Sequence, residues 1–124
     1  MTTEAVQGIV LLAHGSRDER WRQPIEAVAA RTRVLSPTAR VRCAYLELAA
    51  PDLRTAAASL VAEGAGAIRV VPLFLGMGKH AREDIPRQLD ALRREWPAIA
   101  FSLAATVGET PEVIDLLAQI AVKS

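Results

Sequence analysis

The chain contains only two histidines, and their positions are the clearest sign of chemistry in the sequence. His14 directly follows the apolar run of residues 8–13, and His80 follows a second apolar stretch, residues 67–75. Neutral imidazole binds borderline divalent metals such as Co²⁺, Fe²⁺ and Ni²⁺. If the two stretches are neighbouring parallel strands, the two imidazoles lie at one edge of the sheet and can share such a metal.

Glu47 adds a carboxylate to this candidate group, because it follows a third short apolar segment, residues 41–46. The carboxylate can complete an open ligand set or accept a proton. As a strand-end residue it is equally well explained as a solvated group with no role. Two or three protein ligands with vacant positions suit a metal that is bound and then passed on.

Basic residues recur in the loops that follow the two histidine-bearing strands. Because guanidinium groups pair with carboxylates in bidentate geometry, such residues beside a metal suit a polyanionic ligand. Acidic neighbours offset part of this charge, and each basic residue taken alone also fits a solvated helix surface. The residues concerned are Arg17, Arg20, Arg22, Lys79, Arg82 and Arg87.

The elements that position these residues alternate between short apolar runs and amphipathic stretches. We expect strands at residues 8–13, 41–46, 67–75 and 98–103, with helices at 20–35, 52–63, 81–96 and from 110 onward. Four such units predict an α/β fold: three layers, with a four-stranded parallel sheet in the flavodoxin-like order 2-1-3-4. Ligands bind such sheets where the strand order reverses, here between strands one and three. Residues 76–80, which include Gly76, Met77 and Lys79, are expected to form a mobile glycine-rich loop there.

Composition narrows the classes of protein that fit. A length of 124 residues with 51% hydrophobic and 23% charged residues predicts one globular domain over residues 1–124 and excludes a disordered tail protein. A net charge of +1 disfavours a dedicated nucleic-acid binder. The single cysteine, Cys43, excludes an internal disulfide and fits a reducing compartment. With no leader-like start and no long apolar run, we expect a soluble cytoplasmic protein with no membrane partner.

Taken together, the motifs resemble those of the sirohydrochlorin chelatases, which belong to the class II chelatases. The resemblance runs over residues 8–121 and is carried by the segments LLAHGSR (11–17), YLE (45–47), VVPLFLG (70–76), GKH (78–80) and DIP (84–86). The chain is similar in length to the short, single-domain form of the family. The resemblance implies that His14 and His80 bind the metal, with Glu47 as a less certain third active-site residue.

The same resemblance implies a function and a set of partners. The expected reaction is ATP-independent insertion of Co²⁺ into the tetrapyrrole sirohydrochlorin during cobalamin biosynthesis, with no prosthetic group and with the metal as a substrate. The short form is a homodimer in the family. Substrate contacts are expected from basic loop residues, which would hold the carboxylates, and from apolar residues that would cover the ring. These are Arg17, Leu75, Gly76, Met77 and Lys79.

Three alternatives stay open on the sequence. The metal inserted can be Fe²⁺ or Ni²⁺, since imidazole binds all three ions. A protein that carries metal or tetrapyrrole without turnover would need the same ligands. The third, a histidine phosphatase, is suggested by His14-Gly15 but needs an arginine directly before the histidine, where this chain has Ala13.

Overall fold

The computed structural model describes residues 6–123. Residues 1–5 and residue 124 lie outside the described part of the chain. They include both ends of the predicted domain and most of the N-terminal stretch in which no leader is expected. The strands are β1 (Val6–Ala13), β2 (Arg40–Tyr45), β3 (Ala65–Pro72) and β4 (Ala100–Leu103), and the helices are α1 (Gln23–Leu35), α2 (Leu53–Ala62), α3 (Lys79–Glu95) and α4 (Pro111–Val122). Short 3₁₀ turns precede α1 (Glu19–Arg22) and α4 (Val107–Glu109). Between residues 6 and 123, no helix is both long enough and apolar enough to cross a bilayer.

The sheet is parallel throughout, and its order is β2-β1-β3-β4, which confirms the predicted topology. Leu11 on β1 lies opposite Cys43 on β2 and Val71 on β3. The unbroken apolar run of β1 places that strand in the centre, because side chains on both of its faces are buried. The mixed pattern of β2 places it at an edge.

Two apolar clusters hold the layers together. The larger lies between the sheet and the pair α2 and α3, and the smaller lies between α1 and strands β1 and β2. Helix α4 joins neither cluster, and none of its residues is buried. The larger cluster includes Val10, Leu12, Leu53, Leu60, Ile68, Val70, Ile85 and Leu89.

Some predicted boundaries were wrong, and one of them affects the candidate site. Helix α3 begins at Lys79, so His80 lies in its first turn and not in a glycine-rich loop. The reason is Gly78, whose extended backbone (φ −69°, ψ 168°) ends the loop and serves as the N-cap. Strand β3 ends at Pro72 and not at residue 75 as predicted. Proline has no backbone N–H to donate to the neighbouring strand, which favours the end of the strand at this residue. Strand β4 starts at Ala100, two residues later than predicted.

Pairing between β1 and β2 continues past the ends of both strands. The N–H of Leu46 donates to the carbonyl of Ala13 and that of Glu47 to the carbonyl of His14, both at 3.0 Å. Gly15 follows with φ +106°, and a Cβ placed on it would lie 1.7 Å from the Glu47 carbonyl oxygen. Only glycine allows this approach, so Gly15 lets the His14 and Glu47 backbones meet.

We therefore predict that Gly15→Ala lowers the free energy of unfolding by more than about 3 kcal/mol, because strain at positive φ adds to a clash with backbone. Gly64→Ala is the matched control. Gly64 also has a positive φ, +92°, but its Cβ would have no neighbour within 4 Å. The control should cost only about 1–2 kcal/mol. Urea denaturation measures both values, and equal losses would contradict the close-approach explanation.

Asp52 fixes the start of α2, which follows the Glu47 loop. Its Oδ1 accepts a hydrogen bond from the Thr55 N–H at 2.8 Å. Hydrogen bonding from the Thr55 side chain, and secondly from the Thr55 N–H, holds the pKa of the Asp52 carboxyl below its ordinary value of 3.8. Because the pKa of Asp52 is lower in the folded state, its charged carboxylate stabilises the protein when the pH is above the pKa of the unfolded chain. That stabilisation is lost as the pH falls through the pKa of the folded state.

We predict that Asp52→Ala costs about 1 kcal/mol of stability at neutral pH, whereas Asp52→Asn, which keeps an acceptor oxygen, costs less. The difference between wild type and Asp52→Ala should narrow as the pH falls below about 4. Urea denaturation at several pH values measures this difference. A gap that stays constant down to pH 2 would show that the charge of Asp52 has no part in capping.

Candidate active site

One cavity lies at the carboxyl edge of the sheet, where the strand order reverses. Its volume is about 520 Å³. His14, Glu47 and His80, which the sequence analysis singled out, all line it. They follow β1, β2 and β3 respectively, so the parallel sheet brings together residues that are far apart in the chain. The complete lining is His14, Leu46, Glu47, His80, Ala81, Glu83, Asp84 and Arg87.

The position of the His14 ring is defined by an aromatic neighbour. Its centroid lies 4.4 Å from that of Phe74, and the rings are tilted by 47°. Phe74 is buried, and its carbonyl accepts a hydrogen bond from the Gly108 N–H at 2.8 Å. The His14 side chain is itself exposed, so its nitrogens are accessible from the cavity while one side of the ring rests on a fixed support.

Glu47 belongs to the short loop between β2 and α2. The N–H of Tyr45 donates to the Pro51 carbonyl at 2.9 Å and closes this loop on itself. Leu48, next to Glu47, has φ +62°, a left-handed conformation that costs about 1–2 kcal/mol for a residue with a Cβ. Strain of this kind persists where surrounding structure imposes it, and it is frequent at functional sites. No sequence signal marks Leu48, because leucine is not a residue that favours this conformation.

His80 is the first of several cavity residues along one face of α3. Glu83 and Asp84 follow it by three and four positions, and Arg87 follows by seven, which is the spacing of one helical face. Asp84 also accepts a hydrogen bond from the Gln88 side chain at 2.7 Å. From the sequence alone, these two acids are expected only to offset part of the nearby basic charge. A helix that starts at Lys79, and not at residue 81, places both of them on the same face as His80.

The charge of the cavity favours a cation. Three carboxylates, from Glu47, Glu83 and Asp84, face one guanidinium from Arg87. Within residues 6–123, no three side chains of the His, Cys, Asp and Glu types stand close enough together to enclose a metal ion. His14, Glu47 and His80 therefore line one cavity without forming a preformed three-ligand cluster.

The residues predicted to contact a substrate are not among those that line this cavity. Arg17 lies on the loop after β1, and the other four precede or begin α3, where Leu75 is 71% exposed and Met77 packs partly against the core. Their substrate role stays a prediction. The predicted residues outside the lining are Arg17, Leu75, Gly76, Met77 and Lys79.

A second groove, of about 420 Å³, runs between α1 and the edge strand β2. Arg22 lines this groove, so the basic residues noted in the sequence do not all face the candidate site. Cys43 and Tyr45 also line it, and burial raises the pKa of both groups. A raised pKa keeps the Cys43 thiol protonated, which does not favour a role as a nucleophile.

Comparison with known proteins identifies relatives over nearly the whole chain. The CbiX family model matches residues 8–123. The sirohydrochlorin cobaltochelatase of Sulfolobus acidocaldarius is 31% identical over 117 residues, which cover 94% of this chain and 91% of that protein. The sirohydrochlorin ferrochelatase of Bacillus subtilis is 30% identical over 110 residues, covering 87% of this chain but only 41% of that protein.

Solved structures agree with this relationship. A cobalamin (vitamin B12) biosynthesis CbiX protein from Marinobacter aquaeolei superposes with a TM-score of 0.81 at 34% identity, with 93% of each chain covered. The sirohydrochlorin chelatase SirB from Bacillus subtilis subspecies spizizenii, solved with cobalt, superposes with a TM-score of 0.79 at 29% identity, and the match covers 92% of this chain and 49% of that one. The chain therefore belongs to the CbiX family, which confirms the resemblance to the short sirohydrochlorin chelatases that its motifs indicated.

Proposed function

We propose that the protein is a sirohydrochlorin cobaltochelatase, which inserts Co²⁺ into sirohydrochlorin without ATP on the route to cobalamin. The observation that carries this proposal is that the two histidines of the chain line one open, acidic cavity at the strand-order reversal. Among the relatives, the Sulfolobus acidocaldarius cobaltochelatase corresponds to this chain over almost its full length, whereas the Bacillus subtilis ferrochelatase is more than twice as long as the matched region.

In this proposal His14 and His80 hold the metal while it loses water. Each imidazole nitrogen replaces a water ligand, which reduces the cost of dehydrating the ion before it reaches the macrocycle. Two ligands hold the ion loosely enough to release it, since a closed set of protein ligands would retain it. The contact with Phe74 supports the His14 ring on one side.

Proton removal is the second task of the site. Two pyrrole N–H protons leave as the metal binds the ring nitrogens, so the charge of the macrocycle core is conserved. Glu47 is the proposed acceptor of one of them, because its carboxylate lines the same cavity and its backbone is fixed against that of His14. An imidazole freed from the metal is the proposed acceptor of the other.

Binding and distortion of the tetrapyrrole are the third task. Arg87 inside the cavity, Arg17 on the loop after β1 and Lys79 at the start of α3 are proposed to bind carboxylates at the rim of the substrate. Leu75 and Met77 are proposed to cover the ring face. Binding energy from these peripheral groups bends the macrocycle and turns its nitrogen lone pairs toward the metal.

We further propose that the protein acts as a homodimer in the cytoplasm. The chain spans 41% of the Bacillus subtilis ferrochelatase and 49% of the SirB chain, so these longer relatives have room for a second unit of the same size. A cavity that is open in one copy gains an opposing wall in a two-fold assembly. The proposed cytoplasmic location rests on the single cysteine, which fits a reducing compartment.

Iron insertion is the second candidate function, and it is favoured by one observation. Relatives named sirohydrochlorin ferrochelatase match this chain at 24–30% identity. The ligands do not choose between the metals, because imidazole binds Co²⁺ and Fe²⁺ alike. Anaerobic competition between equal concentrations of the two ions, read as the ratio of the two metallated products, separates these candidates.

The first test is the rate of metal insertion measured by absorbance under anaerobic conditions. We expect wild type to accelerate Co²⁺ insertion over several turnovers, and His14→Ala and His80→Ala each to lose at least about tenfold in rate. Thr38→Ala, at an exposed residue in the turn before β2, is the control and should retain the wild-type rate. If the protein binds the tetrapyrrole tightly but does not accelerate the insertion of any metal, the chelatase proposal is wrong and the protein is a carrier.

The second test concerns the acidic face of α3. Replacing both acids by their amides, Glu83→Gln with Asp84→Asn, removes two negative charges that raise the local concentration of the cation. We expect KM for Co²⁺ to rise on the order of three- to tenfold, more than kcat falls, and the effect to shrink at high salt. Glu26→Gln, which removes a carboxylate that lines the other groove, is the matched control. A KM for the metal that does not change would exclude the acids from metal capture.

A further inference from the structure

The second groove, between α1 and the edge strand β2, is separate from the candidate active site. The two share no lining residue, although the loop between β2 and α2 contributes to both. Leu46 and Glu47 line the cavity, whereas Ala50 and Pro51 line the groove. We call this depression of about 420 Å³ the α1–β2 groove. The proposed chelatase reaction uses none of the residues that line it.

One face of α1 forms the first wall of the α1–β2 groove. Its residues follow one another by four, three and four positions, which is the spacing of a single helical face. The small side chain of Ala29, which is buried, leaves space between an arginine at each end of the wall. The four residues are Arg22, Glu26, Ala29 and Arg33.

The outer edge of β2 adds backbone groups to the second wall. The Val41 carbonyl accepts a hydrogen bond from the Arg33 side chain at 2.9 Å, so it points away from β1. The Tyr45 N–H also points away from β1, because it donates to the Pro51 carbonyl at 2.9 Å. Cys43 lies midway between these two residues, and the two-residue period of a strand directs its N–H to the same side. Within residues 6–123 no strand pairs with this edge, so the Cys43 N–H is a donor in the groove.

Tyr45 supplies a second neutral donor. The residue is only 3% exposed, and its ring packs against that of Trp21 with the centroids 6.2 Å apart. Within the described residues its hydroxyl has no hydrogen-bond partner, and no polar side-chain atom is sealed in without one. The hydroxyl therefore stays open to the groove that Tyr45 lines. A buried ring with an unpartnered hydroxyl at its tip is a fixed donor for a ligand.

The two arginines of the α1 wall keep N–H donors for a ligand. Arg22 is paired only loosely, since its guanidinium lies 3.8 Å from the Glu19 carboxylate, whose side chain is 90% exposed. A solvent-exposed pair of this kind contributes little binding energy. Arg33 uses one nitrogen on the Val41 carbonyl, which fixes the guanidinium at the wall and leaves its other donors available.

The remaining charges of the lining do not cancel these two. Arg42 also lines the groove, but its guanidinium is bound to the Glu63 carboxylate and to the Ser59 hydroxyl. Glu26 is the one acidic residue of the lining and opposes part of the positive charge. Two available guanidinium groups against one carboxylate leave the groove with an excess of positive charge, which favours an anion.

The two arginines are spaced for a ligand with two negative charges. Burial raises the pKa of Cys43 and of Tyr45, and the charges of Arg33 and Arg22, respectively, oppose that rise. Each guanidinium is therefore near one of these two β2 residues. Residues two apart on a strand are about 7 Å from each other, which is close to the length of a small molecule with an acidic group at each end.

We propose that the α1–β2 groove binds a small organic dianion, either a dicarboxylate or a phosphate monoester. Arg22 and Arg33 bind its two charged ends, since guanidinium pairs with carboxylate and phosphate oxygens alike. The Tyr45 hydroxyl and the Cys43 N–H donate the neutral hydrogen bonds. The inference concerns binding alone, and it does not depend on metal insertion.

The test is isothermal titration calorimetry with succinate and, separately, with glycerol phosphate. We expect saturable binding of at least one of them at one molecule per chain, with an affinity that falls as salt is added. Arg22→Gln and Arg33→Gln should each weaken binding at least about tenfold, because each removes a charge-assisted hydrogen bond. Tyr45→Phe, which keeps the buried ring, should weaken it roughly threefold to tenfold.

Arg31→Gln is the matched control. It removes one positive charge from the exposed surface of the same helix but lies outside the groove lining, so it should change the affinity by less than about twofold. Far-UV circular dichroism checks that every variant is folded. Because Tyr45→Phe removes only a hydroxyl, it tests the site even if an arginine variant does not fold.

Binding of succinate alone would support the groove as a dicarboxylate site, and binding of glycerol phosphate alone would support it as a phosphate monoester site. No saturable binding of either would overturn the inference, and so would an equal loss in Arg31→Gln, which indicates attraction to surface charge in general. Binding that shifts the NMR signals of the His14 and His80 rings and survives the groove variants would place the anion in the candidate active site and overturn it too. Groove binding by a protein that inserts no metal would support the inference and refute the chelatase, so the two proposals fail separately.

Discussion

Parallel pairing of β1 with β2 on one side and with β3 on the other is the constraint on which the site depends. The pairing continues past the strand ends: Glu47 donates to the His14 carbonyl and Leu73 donates to the Leu12 carbonyl. These bonds bring three loops to one edge of the sheet and fix their first residues relative to one another. The buried faces of β1 make a shift in register costly, because a slip by one residue would expose its core side chains.

Acidic and basic residues occupy different parts of the site. The cavity is acidic, while Arg17, on the loop after β1, and Lys79, the first residue of α3, lie outside its lining. In the proposed function, the acidic interior would attract the divalent cation, and Arg17 and Lys79 would attract the carboxylates of the tetrapyrrole. The two substrates then need not compete for one surface.

Much of this arrangement is predictable from the sequence. Uniformly apolar runs indicate central strands and a mixed run indicates an edge strand, which gives the strand order, and the histidines follow the ends of the two central strands. What was missed depends on local and long-range geometry. The glycines before Lys79 were interpreted as a longer loop, which hid the helical spacing of Glu83 and Asp84 from His80. The left-handed Leu48 is imposed by its loop and has no composition signal. The start signals at residues 110–112 predicted α4 correctly, but they do not reveal that its apolar side chains are exposed.

The central claim is that His14 and His80 bind one metal ion together, and a histidine-selective NMR titration tests it most directly. Because the chain has only these two histidines, ¹⁵N labelling of the imidazoles gives two sets of ring signals. Addition of Co²⁺ should broaden both sets in parallel and saturate at one ion per chain, and Glu47→Gln should leave the imidazole response in place. Broadening of one ring alone, or of the two rings at different metal concentrations, would contradict a shared site.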